Sequence, residues 1–263
     1  MLWCCIEPKR VDKTTPIMEA MAQGFGGKTC LGDPPDDGEL FVIWGQLWTA
    51  LTAIPRAIEQ GRPFLHIDNG YINPGRGSLI GYYRITYNGM APVFLPNAPK
   101  SRIRRTMPPW RTKGAHVLLA LPGEEFGRAI GHKMEDWLDT IEVRVRQHTT
   151  RKVKVRPRKD KHPLDRDLLN CWALVTHSSN VAVDAVLSGV PVFTEPTNPA
   201  APIANFDLSQ IEQPLMPDRT QWFNSLMYQQ FTVPEMRSGF AAMAMQEVMA
   251  QSESIPKLVS RVA

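Results

Sequence analysis

The most informative part of the chain is the stretch from residue 153 to residue 195, VKVRPRKDKHPLDRDLLNCWALVTHSSNVAVDAVLSGVPVFTE. Short apolar runs alternate in it with helical patterns, which predicts strand, basic loop, short helix, strand, polar turn, helix and strand. Strands that alternate with helices favour a parallel sheet with crossover helices. The polar turn, 177–180, follows one strand and precedes one helix.

This turn has the features of a phosphate site. The free N–H groups and the dipole at a helix start attract anions, and ligands of parallel sheets bind beyond the carboxyl ends of the strands. Basic residues after the preceding strand are expected at the same edge, where they can clamp a diphosphate, and an acid on the following helix can accept hydrogen bonds from ribose hydroxyls. The alternative is that a serine of the turn only caps the helix. The predicted binding residues are Arg156, Arg158, Lys159, His177, Ser178, Ser179, Asn180 and Asp184.

The same alternation of strands and helices extends over the whole chain. A glycine- and proline-rich connector with basic residues interrupts it, and we place the domain boundary near residues 112–116. We therefore predict an α/β fold of two Rossmann-like domains with parallel sheets and a cleft between them, over 1–113 and 114–263. The predicted strands are 2–6, 40–44, 64–67, 116–121, 152–155, 172–176 and 190–194, and the predicted helices are 16–23, 48–60, 133–147, 164–170, 180–187, 218–228 and 234–250.

The composition is that of a globular protein. The 263 residues are 43% apolar and 21% charged, which excludes disordered, collagen-like and coiled-coil proteins. The apolar runs are far shorter than the roughly 20 residues that span a bilayer, so we expect a soluble, cytoplasmic chain. The four cysteines form neither a disulfide framework nor a metal-binding pair, and we expect reduced thiols.

Half of the 30 basic residues lie in two short stretches. Residues 100–113 contain six basic residues and no acid, and residues 144–162 contain nine basic residues and one acid. Such stretches favour a polyanionic partner, either nucleic acid or a phosphorylated ligand, although a solvated basic face is the alternative. Trp110 lies among the bases of the first stretch, a combination suited to phosphate contacts and base stacking on DNA. The predicted contacts are Arg102, Arg104, Arg105, Trp110, Arg111 and Lys113.

The stretch 153–195 resembles the C-terminal, donor-binding half of GT-B-type glycosyltransferases, among them bacterial and phage enzymes that act on surface polysaccharides or DNA. In the first half, residues 63–71 (PFLHIDNGY) are similar to the family's strand that ends in an acid and a Gly-Tyr or Gly-Phe loop. The family usually carries a glutamate in the ribose-contacting position, where this chain has Asp184. The matching elements are Arg156-Pro157, the strand 174–176, Ser178-Ser179-Asn180, Asp184 and Gly189-Val190-Pro191-Val192.

The resemblance implies transfer of a sugar from a nucleotide-diphosphate sugar to a hydroxyl. A carboxylate must take the proton of the attacking hydroxyl, and positive charge or N–H groups must stabilise the departing diphosphate. We predict Asp68 as this base, with Asn69 and Tyr71 beside the acceptor. The alternative is that Asp68 forms the turn before Asn69-Gly70. His66, inside the same strand, is expected to be packed.

Three functions remain open for such a chain. The first is a phage enzyme, acting in the bacterial cytoplasm, that glycosylates a hydroxymethylated base of duplex DNA after extruding that base. The second is a transferase of surface polysaccharide, capsule or lipopolysaccharide. The third is a non-catalytic protein that binds nucleotides or nucleic acid. The nucleotide sugar is expected as a co-substrate, and no permanently bound cofactor is expected. Because the chain shows no motif with the spacing of metal ligands, we also expect no metal.

Overall fold

A computed structural model describes residues 1–46, 48–121, 123, 134–157 and 162–254. The chain divides into two compact units. The first unit is built from Met1–Arg102 and the described residues from Phe223 onward, and the second unit is Ile103–Trp222.

The first unit is a mixed sheet with helices on both faces. Within the described residues its strands lie in the order β10-β5-β4-β3-β1-β2, with β1 to β4 parallel and with β5 antiparallel to both β4 and β10. Its elements are β1 (Leu2–Ile6), α1 (Val11–Phe25), β2 (Lys28–Leu31), β3 (Leu40–Trp44), α2 (Thr49–Gln60), β4 (Phe64–Asn69), β5 (Tyr83–Tyr87), β10 (Gln230–Phe231), α7 (Val233–Arg237) and α8 (Phe240–Ser254).

The second unit is a parallel sheet. Its described strands lie in the order β7-β6-β8-β9. Helix α6 (Thr220–Tyr228) carries the chain from the second unit back to the first. The elements of the second unit are β6 (His116–Ala120), α3 (Met134–Arg146), β7 (Lys152–Arg156), α4 (Leu164–Leu168), β8 (Cys171–Val175), α5 (Val181–Leu187) and β9 (Val192–Phe193).

Each unit has its own apolar core. In the first unit, the side chains of β4 point alternately to the two faces of the sheet. In the first unit, Leu65 and Ile67 pack with α1, α7 and α8 on one face of the sheet. Phe64 packs with α2 on the other face, and the alternation of side chains along a strand places His66 and Asp68 on that same face. The α2 face therefore changes from apolar to polar towards the carboxyl end of β4.

Two helix predictions differ from the structure. Helix α1 begins at Val11, so Pro16 lies inside the helix although it was expected at its first position. The Thr14 hydroxyl donates to the Arg10 carbonyl in the turn before this proline, and Ile17 and Met18 after it are fully buried, so packing holds a helix that proline alone would end. The predicted helix 234–250 is two helices, because Gly239 takes a positive φ of 84° between α7 and α8.

The position of the closing helices also differs from the predicted division at residue 113. Helices α7 and α8 belong to the first unit, because β10 pairs with β5 and the apolar side chains of both helices cover the first sheet. The chain passes between the units at residues 102–103 and again at residues 222–223. The edge strand β2 was not predicted, because its polar, mostly exposed sequence KTCL lacks an apolar run.

Candidate functional site

The polar turn 177–180 lies between the carboxyl end of β8 and the start of α5, as the sequence predicts. Hydrogen bonds hold its backbone from two sides. The His177 carbonyl accepts from the Thr194 hydroxyl at 2.9 Å, and the Ser179 carbonyl accepts from the amide of the buried Asn198 at 3.2 Å. At the root of the turn, the Thr176 hydroxyl donates to the Ala120 carbonyl at 2.6 Å and ties the end of β8 to the end of β6. The turn is thus a fixed part of the sheet edge.

Two polar side chains of this turn are not used for helix capping. Ser179 Oγ accepts from the Val181 N–H at 3.4 Å, a long capping bond. The Asn180 side chain makes no capping bond, and no described residue hydrogen-bonds the Ser178 hydroxyl. Of Ser178, Ser179 and Asn180, only Ser179 therefore caps the helix, and the side chains of Ser178 and Asn180 can bind a ligand.

Asp184 lies in the first turns of α5 and is mostly buried. Burial raises the pKa of its carboxyl from 3.8 to about 6, and the positive charge of Arg105 partly opposes this rise. The structure thus brings together a residue predicted for the donor side and one predicted for the acceptor side. A half-buried carboxylate beside a cation can accept hydrogen bonds from sugar hydroxyls while the cation faces a phosphate.

One of the predicted phosphate clamps already has a protein partner. Arg156, at the end of β7, forms an ion pair with Asp167 of α4 and donates to the His162 carbonyl at 2.9 Å. The other two predicted clamps, Arg158 and Lys159, lie outside the described residues.

The predicted base Asp68 lies within β4, not in the turn that follows it. Its Oδ2 is 2.8 Å from Nη2 of Arg84, which is directly opposite on β5. Its Oδ1 accepts from the Asn69 N–H at 2.7 Å. Arg84 also donates to the Asn69 carbonyl at 2.7 Å, and its guanidinium lies 5.0 Å from the centre of the Tyr71 ring. Asp68, Asn69 and Tyr71 therefore all contact one arginine.

Two further side chains surround this cluster. His66 is fully buried, as expected, and burial lowers its pKa to about 4. Its Nε2 lies 2.8 Å from the Gly45 carbonyl oxygen, which can only accept, so Nε2 carries the proton of the neutral ring. Gln230 accepts from the Tyr71 N–H at 2.5 Å and fixes the loop after β4.

Part of the basic run 100–113 makes contacts inside the two units. In the first unit, Arg102 pairs with Glu235 at 2.7 Å and lies over the rings of Phe231 and Phe240. In the second unit, Trp110 donates to a backbone carbonyl at 2.7 Å, and Arg111 donates to the Leu168 carbonyl. Of the predicted DNA contacts, Trp110 and Arg111 are partly buried, and the exposed ones are Arg102, Arg104, Arg105 and Lys113.

Sequence reasoning missed the importance of Arg84. The signal available was an arginine in the middle of the alternating strand YRITY, where a buried charge requires a partner. Within the described residues, no group of three or more His, Cys, Asp or Glu is placed to hold a metal ion. No described helix has the length and apolar character needed to cross a membrane.

Comparison with known proteins identifies a fold relative. No family model matches the chain, and no curated protein matches its sequence. KpsC of Thermosulfurimonas dismutans, a β-Kdo 2,4 transferase, is similar in structure, with a TM-score of 0.50 and 12% identity over 86% of this chain and 91% of that chain. The glycosyltransferase SnogD of Streptomyces nogalater matches with 12% identity over 94% of this chain and 98% of that chain, but its TM-score of 0.26 is too low to indicate a shared fold. The chain thus shares the fold of a glycosyltransferase, as the resemblance of its sequence to GT-B-type enzymes predicts.

Proposed function

We propose that the chain is a glycosyltransferase that moves a sugar from a nucleotide sugar to a hydroxyl. The observation that carries the proposal is the β8–α5 turn, where Ser178, Asn180 and the buried Asp184 offer unused polar groups at a sheet edge. Because the fold is similar to that of a known transferase, binding of a nucleotide sugar at this turn is the first use to test. In this proposal the first unit carries the acceptor side and the second unit the donor side, as in the GT-B arrangement.

On the donor side, the turn binds the phosphate and Asp184 accepts hydrogen bonds from the ribose hydroxyls. The Ser178 hydroxyl and the Asn180 amide donate to phosphate oxygens, and Arg105 supplies positive charge to the leaving group. Arg158 and Lys159 add to this charge. Because Arg156 already pairs with Asp167, it is a weaker candidate for the clamp.

On the acceptor side, Asp68 takes the proton of the acceptor hydroxyl. The hydroxyl oxygen then forms a bond to the anomeric carbon, the bond from that carbon to the phosphate oxygen breaks, and its electron pair leaves with the nucleotide. Two contacts of the Asp68 carboxylate are fixed by the protein, and about a fifth of its side chain remains exposed, at 21%. This exposure gives a hydroxyl access to the carboxylate.

We favour a glycan as the acceptor. KpsC is named as a transferase of Kdo, and a surface polysaccharide is the corresponding acceptor class for this chain. The argument for DNA as the acceptor depends on the basic run 100–113. Three of the residues predicted to contact DNA, Arg102, Trp110 and Arg111, instead make contacts within the protein. Two of the six basic residues of that run, Arg102 and Arg111, are thus already engaged within the protein, which leaves fewer of them for the phosphates of a duplex.

The direct test is nucleotide release. The full chain is incubated with a panel of nucleotide sugars, including nucleotide-activated Kdo, with and without oligosaccharide or hydroxymethylated duplex DNA, and the products are weighed by mass spectrometry. We expect nucleotide release and a mass gain of one sugar on the oligosaccharide. A mass gain on the DNA would instead establish the DNA acceptor.

Calorimetric titration of the product nucleotide tests the donor site separately. Asp184→Asn is expected to weaken nucleotide binding about tenfold, the effect of losing a hydrogen bond to a charged group. Asp139→Asn is the matched control, because Asp139 is an exposed carboxylate on α3 of the same unit. Nucleotide binding without turnover of any donor would support the non-catalytic alternative, and equal nucleotide affinity of wild type and Asp184→Asn would refute the donor site.

A further inference from the structure

One buried arginine contacts the predicted base Asp68 and both of the residues predicted beside it, Asn69 and Tyr71. The Arg84 guanidinium pairs with the Asp68 carboxylate at 2.8 Å, donates to the Asn69 carbonyl at 2.7 Å and stacks over the Tyr71 ring. Only 3% of its side chain is exposed. A planar guanidinium fixes both the distance and the angle of the groups that it joins, which a flexible ammonium does not.

The sheet holds Arg84 in place. Arg84 lies directly opposite Asp68 in the antiparallel pairing of β5 with β4, and the next strand, β10, pairs Gln230 with Arg84 on the other side. Its backbone is therefore paired on both sides, and its side chain reaches Asp68 from the facing position of the adjacent strand. The position of the guanidinium is thus set by strand register.

Arg84, Asp68, Asn69, Tyr71 and His66 form a polar cluster, and some of its buried polar atoms have no hydrogen-bond partner within the described residues. Three of its buried atoms, Arg84 Nε, Tyr71 OH and His66 Nδ1, make no hydrogen bond within the described residues. By type they are a donor, a group that both donates and accepts, and, in the neutral ring, an acceptor. Buried polar groups of purely structural networks are normally satisfied, so unsatisfied ones of complementary type next to a carboxylate indicate a working site.

We propose that Arg84 is the positioning residue of the acceptor site, holding the Asp68 carboxylate in the orientation in which it takes the proton of the acceptor hydroxyl. This inference rests on the proposed function. Arg84 acts through Asp68 and does not itself touch the reacting atoms. Binding of the nucleotide, which the proposed function assigns to the second unit, does not depend on Arg84.

The test measures kcat for nucleotide release and, separately, the affinity for nucleotide. Arg84→Gln is expected to lower kcat by about 10- to 100-fold, within the range of a misplaced general base, while the Kd of the nucleotide is unchanged. Arg84→Lys keeps the charge beside Asp68 and is expected to recover kcat to within about tenfold of wild type. Arg62→Gln is the control, because Arg62 lies over the Phe41 ring on the same sheet, away from Asp68.

The Asp68→Asn background separates a positioning role from a structural one. If Arg84 acts through Asp68, then Arg84→Gln in Asp68→Asn changes kcat by less than about twofold, because no carboxylate remains to be positioned. A full additional loss in that background, or a wild-type kcat in Arg84→Gln, would overturn the proposal.

The remaining outcomes are also decisive. Should Arg84→Gln not fold, Arg84→Lys carries the same comparison, with a smaller loss expected that again vanishes in Asp68→Asn. A wild-type chain that turns over no nucleotide sugar would refute the proposed function and, with it, the role of Arg84. A wild-type chain with turnover and an unaffected Arg84→Gln would refute the role of Arg84 alone.

Discussion

Replacing Asp184 by asparagine is expected to stabilise the second unit at neutral pH while it weakens nucleotide binding. Asparagine has the shape of aspartate but carries no charge, so it removes the cost of burying a carboxylate. Burial raises the pKa of Asp184 from 3.8 to about 6. A binding residue that reduces the stability of its own unit is typical of functional sites.

The size of the effect follows from this pKa. A difference from 3.8 to about 6 corresponds to about 3 kcal/mol, at about 1.4 kcal/mol for each pH unit. Because the folded-state pKa is raised, the favourable contribution of the protonated carboxyl is complete below pH 3.8 and is lost as the pH rises through about 6. Relative to Asp184→Asn, the wild type therefore loses up to about 3 kcal/mol between pH 4 and pH 7.

Urea unfolding followed by tryptophan fluorescence at several pH values between 4 and 8 measures this difference. The free energies of unfolding of wild type and Asp184→Asn are expected to differ by an amount that grows in favour of the variant as the pH rises from 4 to about 6, and that levels off near pH 7. Asp139→Asn is the control, because it removes a carboxylate from an exposed position of the same unit. A difference between wild type and Asp184→Asn that stays constant from pH 4 to pH 8 would show that folding does not raise the pKa of Asp184.

Three further outcomes are expected. Hydrogen peroxide should join Cys5 and Cys30, whose sulfurs lie 3.6 Å apart on paired positions of β1 and β2; two thiols and one peroxide give a disulfide and two waters, seen as the loss of two hydrogens by mass spectrometry. His66 should stay neutral on acidification to about pH 5, because burial lowers its pKa to about 4, and its ring resonances in NMR should not move above that pH. Thr232→Ala should lower the free energy of unfolding by about 1 kcal/mol, because Thr232 and Glu235 form a capping box at the start of α7.

Each of these outcomes has its control. Cys30→Ser should abolish the disulfide while the buried Cys171 keeps its thiol. A His66 resonance that titrates near pH 6.5 would contradict the burial argument. Thr232→Ser should retain the stability of the wild type, since serine also caps, and equal losses in both variants would rule out the capping bond as the cause.

The sequence predicted those parts of the fold that depend on local pattern. The buried strands β1 and β3 occur with the predicted bounds, because uninterrupted apolar runs between turn residues have few alternatives. Local pattern misled where packing overrides it, as at Pro16 inside α1. The exposed edge strand β2 lacks a pattern altogether.

The site was predictable only residue by residue. The turn 177–180 and Asp184 follow from their place after a strand, and Asp68 from its place at the end of another. Which residue pairs with Asp68 depends on the register of β4 with β5. The sequence of the loop between these strands does not reveal that register. Likewise, a basic run does not reveal that Arg102 will find Glu235, more than a hundred residues later in the chain.

The return of the chain to its first unit has a consequence for synthesis on the ribosome. Strand β10 and helices α7 and α8 complete the first sheet, but they are made after the whole second unit. Until then the edge of β5 is unpaired, and the apolar face that carries Leu65 and Ile67 has α1 but lacks α7 and α8. An open strand edge beside an apolar surface attracts other chains. The nascent protein is therefore expected to need a chaperone during the interval in which the second unit emerges, and to fold slowly because its decisive contacts join distant parts of the chain.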